Sequence, residues 1–267
     1  MALHDVHAHL THPDLLPNVE TLLTRCQEAG VTRIVSNGLN PEDNQRVLDL
    51  AARSPLVKPA LGLYPVDAVL KAMLAAGVEY PDRGRTYETD EAVDWVRKHA
   101  DQAFAIGEIG LDGYWVPEQF WPEQERAFCE LVDVARIHDK PIIIHTRKRE
   151  ARTFELLQEN GYAKVNWHCF GGRVKLARRI AEAGHYLSIP ANARRSASFT
   201  RMLETLPREQ MLLETDSPYL GPEKGQLNEP SNVRKTMEYA AETWGVSAEE
   251  AEAQFAANFD RLFPAAN

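Results

Sequence analysis

His7-Ala8-His9 sets two imidazoles two residues apart near the start of a 267-residue chain. Leu3 to His9 reads as a short strand, and residues i and i+2 of a strand point to the same side. Two imidazoles projecting from one rigid strand make half of a metal site. Such a pair taken alone is more often surface or core histidine, but Glu108, His145, His168 and Asp216 each stand at the end of a further apolar run. Imidazole nitrogens and carboxylate oxygens gathered without thiolates suit zinc, manganese or magnesium. Four histidines and two acids exceed what one open catalytic ion needs. A pair of divalent cations joined by a carboxylate is the economical arrangement.

The elements that must position these residues alternate along the chain. Apolar strands are expected at Leu3–His9, Arg33–Asn37, Val57–Leu63, Ala103–Ile109, Pro141–His145, Lys164–Cys169, Tyr186–Ile189 and Met211–Glu214. Amphipathic stretches separate them; in Gln124 to His138, Phe128, Leu131, Val132 and Ala135 mark a single helical face. Eight strand–helix units predict an α/β fold, a (β/α)8 TIM-like barrel in one domain over residues 1–267. Pro141-Ile142-Ile143-Ile144 is continuously apolar, as a parallel strand buried on both faces should be. The C-terminal ends of all the strands open on one face, so the metal site belongs there: His7 and His9 end strand one, Glu108 strand four, His145 strand five and His168 strand six, and Asp216 follows strand eight. Residues 66–101 read as an insertion after strand three, with helices at Leu70–Ala76 and Ala92–His99 joined by a polar stretch from Pro81 to Thr89. It is either a lid or substrate-contacting loop or a plain surface excursion. Ser231–Trp244 and Ala248–Phe259 read as outer-layer helices that close the barrel.

Composition narrows the function classes. No run approaches the ~20 apolar residues of a membrane span, and the first strand begins too early to leave room for a signal peptide, so a cytoplasmic location without membrane contact is expected. The net charge of −9 opposes a broad, sequence-independent grip on nucleic acid but leaves room for a small basic patch inside a cleft. The three cysteines, Cys26, Cys129 and Cys169, lack CxxC spacing, which argues against a disulfide framework or a thiolate zinc site. Cys169 follows His168, and strand alternation turns it away from the site.

Five blocks in order resemble the TatD-type metal-dependent hydrolases of the amidohydrolase superfamily: Asp5-Val6-His7-Ala8-His9, Gly107-Glu108-Ile109-Gly110-Leu111-Asp112, Pro141-Ile142-Ile143-Ile144-His145-Thr146-Arg147, His168-Cys169-Phe170-Gly171-Gly172 and Glu214-Thr215-Asp216-Ser217-Pro218-Tyr219-Leu220. The resemblance spans nearly the whole chain. It implies a TIM-like barrel and a metal-dependent deoxyribonuclease, a 3'–5' exonuclease whose partner is DNA, single-stranded or at 3' ends. It also implies two divalent cations (Mg, Mn or Zn), one held by His7, His9 and Asp216, the other by His145 and His168, with Glu108 bridging. Asp216 and Glu108 are then the catalytic pair, with Asp216 taking the proton of the attacking water.

The chain departs from the family pattern in two places. Gly62-Leu63-Tyr64-Pro65 stands where Gly-x-His-Pro is usual, and Gly113-Tyr114-Trp115 replaces the usual aromatics and arginine. Both changes fall where substrate would lie. Arg147 matches a basic residue of the family and offers a cation for phosphate. Tyr64 offers a hydroxyl, and Trp115, with Phe120 and Trp121 beside it, could stack a base. Glu214 shares the side of Asp216 by alternation and belongs either beneath the ligands or on the rim of the substrate site. Lys148, Arg149, Lys175, Arg178 and Arg179 are substrate cations or solvated helix faces. His12 is close enough to approach the site from a loop, His4 points away from His7, and His99, His138 and His185 carry no chemistry.

Three other readings compete. One is an amidohydrolase-type enzyme on a non-nucleic substrate, which many relatives serve with a modified lysine where this chain has Glu108. Another is hydrolysis of an aminoacyl-tRNA ester. The third is a non-catalytic metal-binding scaffold, which the complete ligand set disfavours.

Overall fold

The computed structural model describes residues 2–81 and 84–263. Eight strands, β1 (Leu3–Ala8), β2 (Val31–Asn37), β3 (Val57–Leu61), β4 (Ala105–Asp112), β5 (Ile142–Arg147), β6 (Val165–Trp167), β7 (Tyr186–Ile189) and β8 (Met211–Leu213), form one parallel sheet in sequence order. The helices are α1 (Val19–Glu28), α2 (Pro41–Arg53), α3 (Leu70–Ala75), α4 (Thr89–His99), α5 (Trp121–Ile137), α6 (Glu150–Asn160), α7 (Val174–Glu182), α8 (Ala197–Thr205), α9 (Val233–Trp244) and α10 (Ala248–Leu262). This is a (β/α)8 TIM barrel. No described helix is long and apolar enough to cross a membrane.

The ring closes between its first and last strands by a single parallel bridge, Ala8 to Ser217. His9 N–H donates to Ser217 O (2.8 Å) and Asp216 N–H to His7 O (2.8 Å). Beneath them the buried Asp5 carboxylate accepts the backbone N–H groups of His7 (3.1 Å) and Thr215 (3.0 Å) through Oδ1, and the Thr215 hydroxyl (2.5 Å) through Oδ2. The seam of the barrel therefore runs through the residues singled out as metal ligands.

β4 is longer than the sequence reading. It runs to Asp112, pairing Gly110, Leu111 and Asp112 with His145, Thr146 and Arg147 of β5, so Glu108 lies mid-strand. Two glycines disguise this continuity, because glycine usually reads as a break. Gly110 is needed for close approach: it has φ 150°, and a Cβ there would stand 1.9 Å from His145 O. Gly62, just past β3, is also tight, with a Cβ meeting Glu108 N at 2.4 Å.

Two further boundaries move. α4 packs between α2 and α5 as an ordinary outer-layer helix, so the extra segment on the C-terminal face is 66–88. Within the polar stretch expected from Pro81 to Thr89, residues 82 and 83 lie outside the described residues. α10 is not simply part of the outer layer. Its end brings Phe259, Leu262 and then Phe263 against Val6, Val35, Ala60, Ala105, Ile143 and Leu212, which plugs the floor of the barrel.

Two buried histidines make the fold sensitive to acid. Burial holds His4, tilted against Phe259 with ring centroids 4.1 Å apart, and His185, whose Nδ1 accepts Trp167 Nε1–H, down to about 4. Their folded-state values lie below the ordinary 6.5, so the unfolded chain takes up protons first. The stability associated with the neutral rings is full above about pH 6.5 and is lost as pH falls through 4; each ring accounts for at most roughly 3 kcal/mol. Unfolding free energy measured from pH 7 to 4 should fall less steeply in His185→Gln than in the native chain. Equal slopes would remove His185 from the account.

Candidate metal centre

Glu108 is the hub of the site at the C-terminal face. Its Oε2 lies 3.6 Å from His7 Nε2 and 3.5 Å from His9 Nε2, and Asp216 Oδ1 faces the same two nitrogens at 3.6 and 3.5 Å. Its Oε1 lies 3.0 Å from His145 Nδ1 and 3.1 Å from His168 Nε2. The two oxygens of one carboxylate thus face two different sets of donors. A tetrahedral ion with bonds of about 2.0–2.2 Å spaces its donors by roughly 3.3–3.6 Å, the range found around Oε2. Compact triads that could hold a cation are His7/His9/Asp216 and His7/Glu108/His168. His145 reaches Glu108 but belongs to neither triad, and His7 belongs to both.

The protonation of this cluster also suits cations. Burial works against charge on His9 and His145, yet Asp216 and Glu108 around the first, and Asp112 and Glu108 around the second, raise both to about 9. Burial opposes charge on Glu108 too, but His168 and His145 hold it well below the usual carboxylate range. Burial drives His7 the other way, well below its ordinary value. Protons thus do the work that a dication would do. Buried Nδ1 atoms of His7 and His168 have no hydrogen-bond partner.

Two of the four rings, those of His145 and His9, are held by a second group. Asp112 Oδ2 is 3.0 Å from His145 Nε2, leaving Nδ1 to face Glu108. Asp112 is itself fixed by the backbone N–H groups of Tyr114 (2.7 Å) and Trp115 (2.8 Å). Asn37 O is 3.2 Å from His9 Nδ1. Glu214 lies 3.8 Å from His168 Nδ1, accepts Cys169 N–H (2.8 Å) and the Ser188 hydroxyl (2.6 Å), and is pushed up to about 7 by burial. It is fully buried, which settles its place beneath the ligands and out of a substrate's reach. The roles of Asp5 and Asp112 escaped the sequence reading. Once β4 extends to 112, Glu108, Gly110 and Asp112 share a face by alternation, a signal hidden by ending the strand at Ile109. Asp112→Asn should weaken metal binding about tenfold while leaving the fold intact, because an uncharged partner holds the imidazole less firmly. Titration with zinc or manganese checks this; unchanged affinity would remove Asp112 from the site.

A cavity of about 1660 Å³ opens over the cluster and is lined by His9, Glu108, His145, His168 and Asp216. Tyr64, Trp115 and Arg147 also line it. Tyr64 stands edge-on to His145, ring centroids 5.0 Å apart. Trp115 sits between Tyr80 and Tyr114. Trp121 is packing: Arg149 covers its ring and its Nε1–H donates to Val116 O. Arg149 is buried and paired with Glu125, so it offers nothing to a ligand. Lys148 and Arg173 reach the cavity, while Lys175, Arg178 and Arg179 do not line it. His12 lines the rim, with Nε2 3.1 Å from the Tyr219 hydroxyl. Cys169 lines the cavity as well, against the sequence reading. β6 ends at Trp167 and Cys169 turns to φ 41°, so strand alternation no longer governs it. Burial pushes its thiol well above the usual range.

Residues 4–264 match the model of the TatD related DNase family. Deoxyribonuclease TATDN3 of Homo sapiens is 31% identical, covering 99% of this chain and 95% of that protein. The uncharacterized metal-dependent hydrolase YabD of Bacillus subtilis is 29% identical over 98% of each. Among solved structures, the TatD homologue YJJV of Escherichia coli superposes with a TM-score of 0.84 at 24% identity, covering 99% of this chain and 98% of that one.

Proposed function

The chain belongs to the TatD-related DNase family, and from that premise we propose that it is a metal-dependent deoxyribonuclease that removes nucleotides from single-stranded 3' ends. The observation that carries this reading is Glu108, whose two oxygens face His7 and His9 on one side and His145 and His168 on the other. His7, His9 and Asp216 would hold one divalent cation and His145 and His168 the second, with Glu108 shared between them. Cations bound there would acidify a water molecule and draw charge from the phosphate oxygens.

The chain's own residues do the rest. Asp216, partly open to the cavity, accepts the proton that the water gives up. Glu108 is held between four imidazoles and moves no proton. Arg147 donates to a phosphate oxygen, and the Tyr64 hydroxyl donates beside His145. Trp115 stacks a base. The site lies at the bottom of a cavity bordered by Tyr80 and Arg85 of the extra segment, and the chain's charge of −9 offers little grip on the outside of a duplex. A threaded single strand fits this shape better than an unbroken helix.

The test compares end-labelled single strands, blunt duplexes and covalently closed circles after loading with magnesium, manganese or zinc. Single strands should shorten stepwise from the 3' end, blunt duplexes more slowly, and closed circles should survive. Chelation should abolish the activity and added cation restore it. Efficient nicking of closed circles would overturn the end preference. Hydrolysis of lactones, phosphotriesters or aminoacyl esters with no phosphodiester cleavage would overturn the nuclease reading.

A further inference from the structure

We propose that one wall of the cavity is a track for the phosphates flanking the scissile bond, formed by Arg147, Lys148 and Arg173 and set in place by Tyr114; this rests on the nuclease reading. Arg147 follows His145 by two on β5, so both point to the same side of the strand about 7 Å apart. Its guanidinium carbon lies 3.7 Å from the ring centroid of Tyr114, which is half exposed. A guanidinium stacked through its face keeps its N–H edge free for a bidentate oxyanion. Tyr114 is thus a positioning residue for Arg147.

Among the described residues, Arg147, Lys148 and Arg173 have no carboxylate partner. The arginines just beyond them on the same segment do: Arg149 and Arg152 both take Glu125. Glu150, on the same wall, turns to the backbone and accepts Lys148 N–H (3.1 Å). The opposite wall carries Glu42 and Asp43 at the start of α2, together with Asp67. Arg46 pairs with Glu42, Asp43 accepts Leu39 N–H and Asp67 accepts the Asn40 side-chain amide, and Arg85 lines the cavity as well, so that side mixes acids with cations. A polyanion entering the cavity is drawn to the cations of the β5–α6 and β6–α7 turns. The retained strand therefore lies on one side of the metals, with its bases toward Trp115 and Tyr80.

The experiment measures binding of a fluorescein-labelled phosphorothioate hexathymidylate to the metal-loaded protein by anisotropy over a salt series. In parallel it measures hydrolysis of bis(p-nitrophenyl) phosphate, which has no flanking phosphate. Each lost phosphate contact should reduce the slope of log Kd against log salt by about 0.7. Arg147→Ala and Arg173→Ala should each do so, and Arg178→Ala, outside the cavity, should not. Tyr114→Leu should weaken binding about two- to fivefold, Tyr114→Phe should restore it, and Tyr114→Leu should add nothing in the Arg147→Ala background. Unchanged salt slopes in the Arg147 and Arg173 variants, or no binding by the native chain, would overturn the track. Equal loss in Tyr114→Phe and Tyr114→Leu would overturn the stacking role. Salt-dependent binding without hydrolysis of either phosphodiester would leave the track standing and overturn the nuclease reading instead.

Discussion

Asp216→Asn should reduce kcat for phosphodiester hydrolysis by about 10³-fold or more, the upper part of the range for loss of a positioned proton acceptor. The amide keeps the size and one oxygen of the carboxylate, so the barrel should fold and the melting temperature of the metal-free protein should stay close to native. What is lost is the basic site and the negative charge facing His7 Nε2 and His9 Nε2 at 3.6 and 3.5 Å. KM should change far less than kcat, because the residue acts on the water and not on the distant parts of the strand. Single-turnover kinetics at saturating manganese isolates this step. A variant with near-native kcat and full metal content would show that Asp216 neither accepts the proton nor is needed as a ligand.

Glu108→Gln should have an effect as large by a different route. A neutral amide presents one oxygen to one ligand set and an NH2 group to the other, where it meets nitrogens that also need an acceptor. Metal content after gel filtration should fall from the proposed two equivalents to one or fewer, and activity should fall by several powers of ten, since metal-held charge stabilisation is worth several kcal/mol. The same change removes the charge that, with its neighbours, raises His9 and His145 to about 9, so both rings should titrate at lower pH in the metal-free variant. NMR of the imidazoles checks this apart from activity. Retention of two equivalents by Glu108→Gln would end the bridging assignment.

The candidate ligands were legible because each lies at or beyond an apolar run that marks a strand, and a parallel barrel turns the C-terminal halves of its strands to one face. Pattern alone therefore assembled His7, His9, Glu108, His145, His168 and Asp216. The supporting shell was not legible, because it consists of contacts between distant positions. Asp5 is bonded to Thr215, 210 residues away, and no local periodicity encodes such a pair. Tyr114 reads only as part of an altered stretch near the substrate until β5 places Arg147 over it. The apolar face of α10, Ala251, Phe255, Phe259 and Leu262, looks the same whether the helix lies on the flank of a barrel or under its floor. Only the packing of Phe259 and Leu262 against the inward side chains of the strands decides between them.

The single bridge between Ala8 and Ser217 has a consequence for how the protein is made. His7 and His9 lie on one side of that join and Asp216 on the other, more than two hundred residues later in the chain. During synthesis His7 and His9 leave the ribosome early and remain without Asp216 until almost the whole barrel exists. A cation held by all three would tie the first strand to the last, and part of its binding energy would become folding energy, about 2.7 kcal/mol at a hundredfold excess over Kd. A truncated chain that ends before β8 lacks both the join and Asp216, so it cannot assemble the first ligand set. A hydrolase assembled in this order stays inert as a fragment and becomes competent only when its ring is whole.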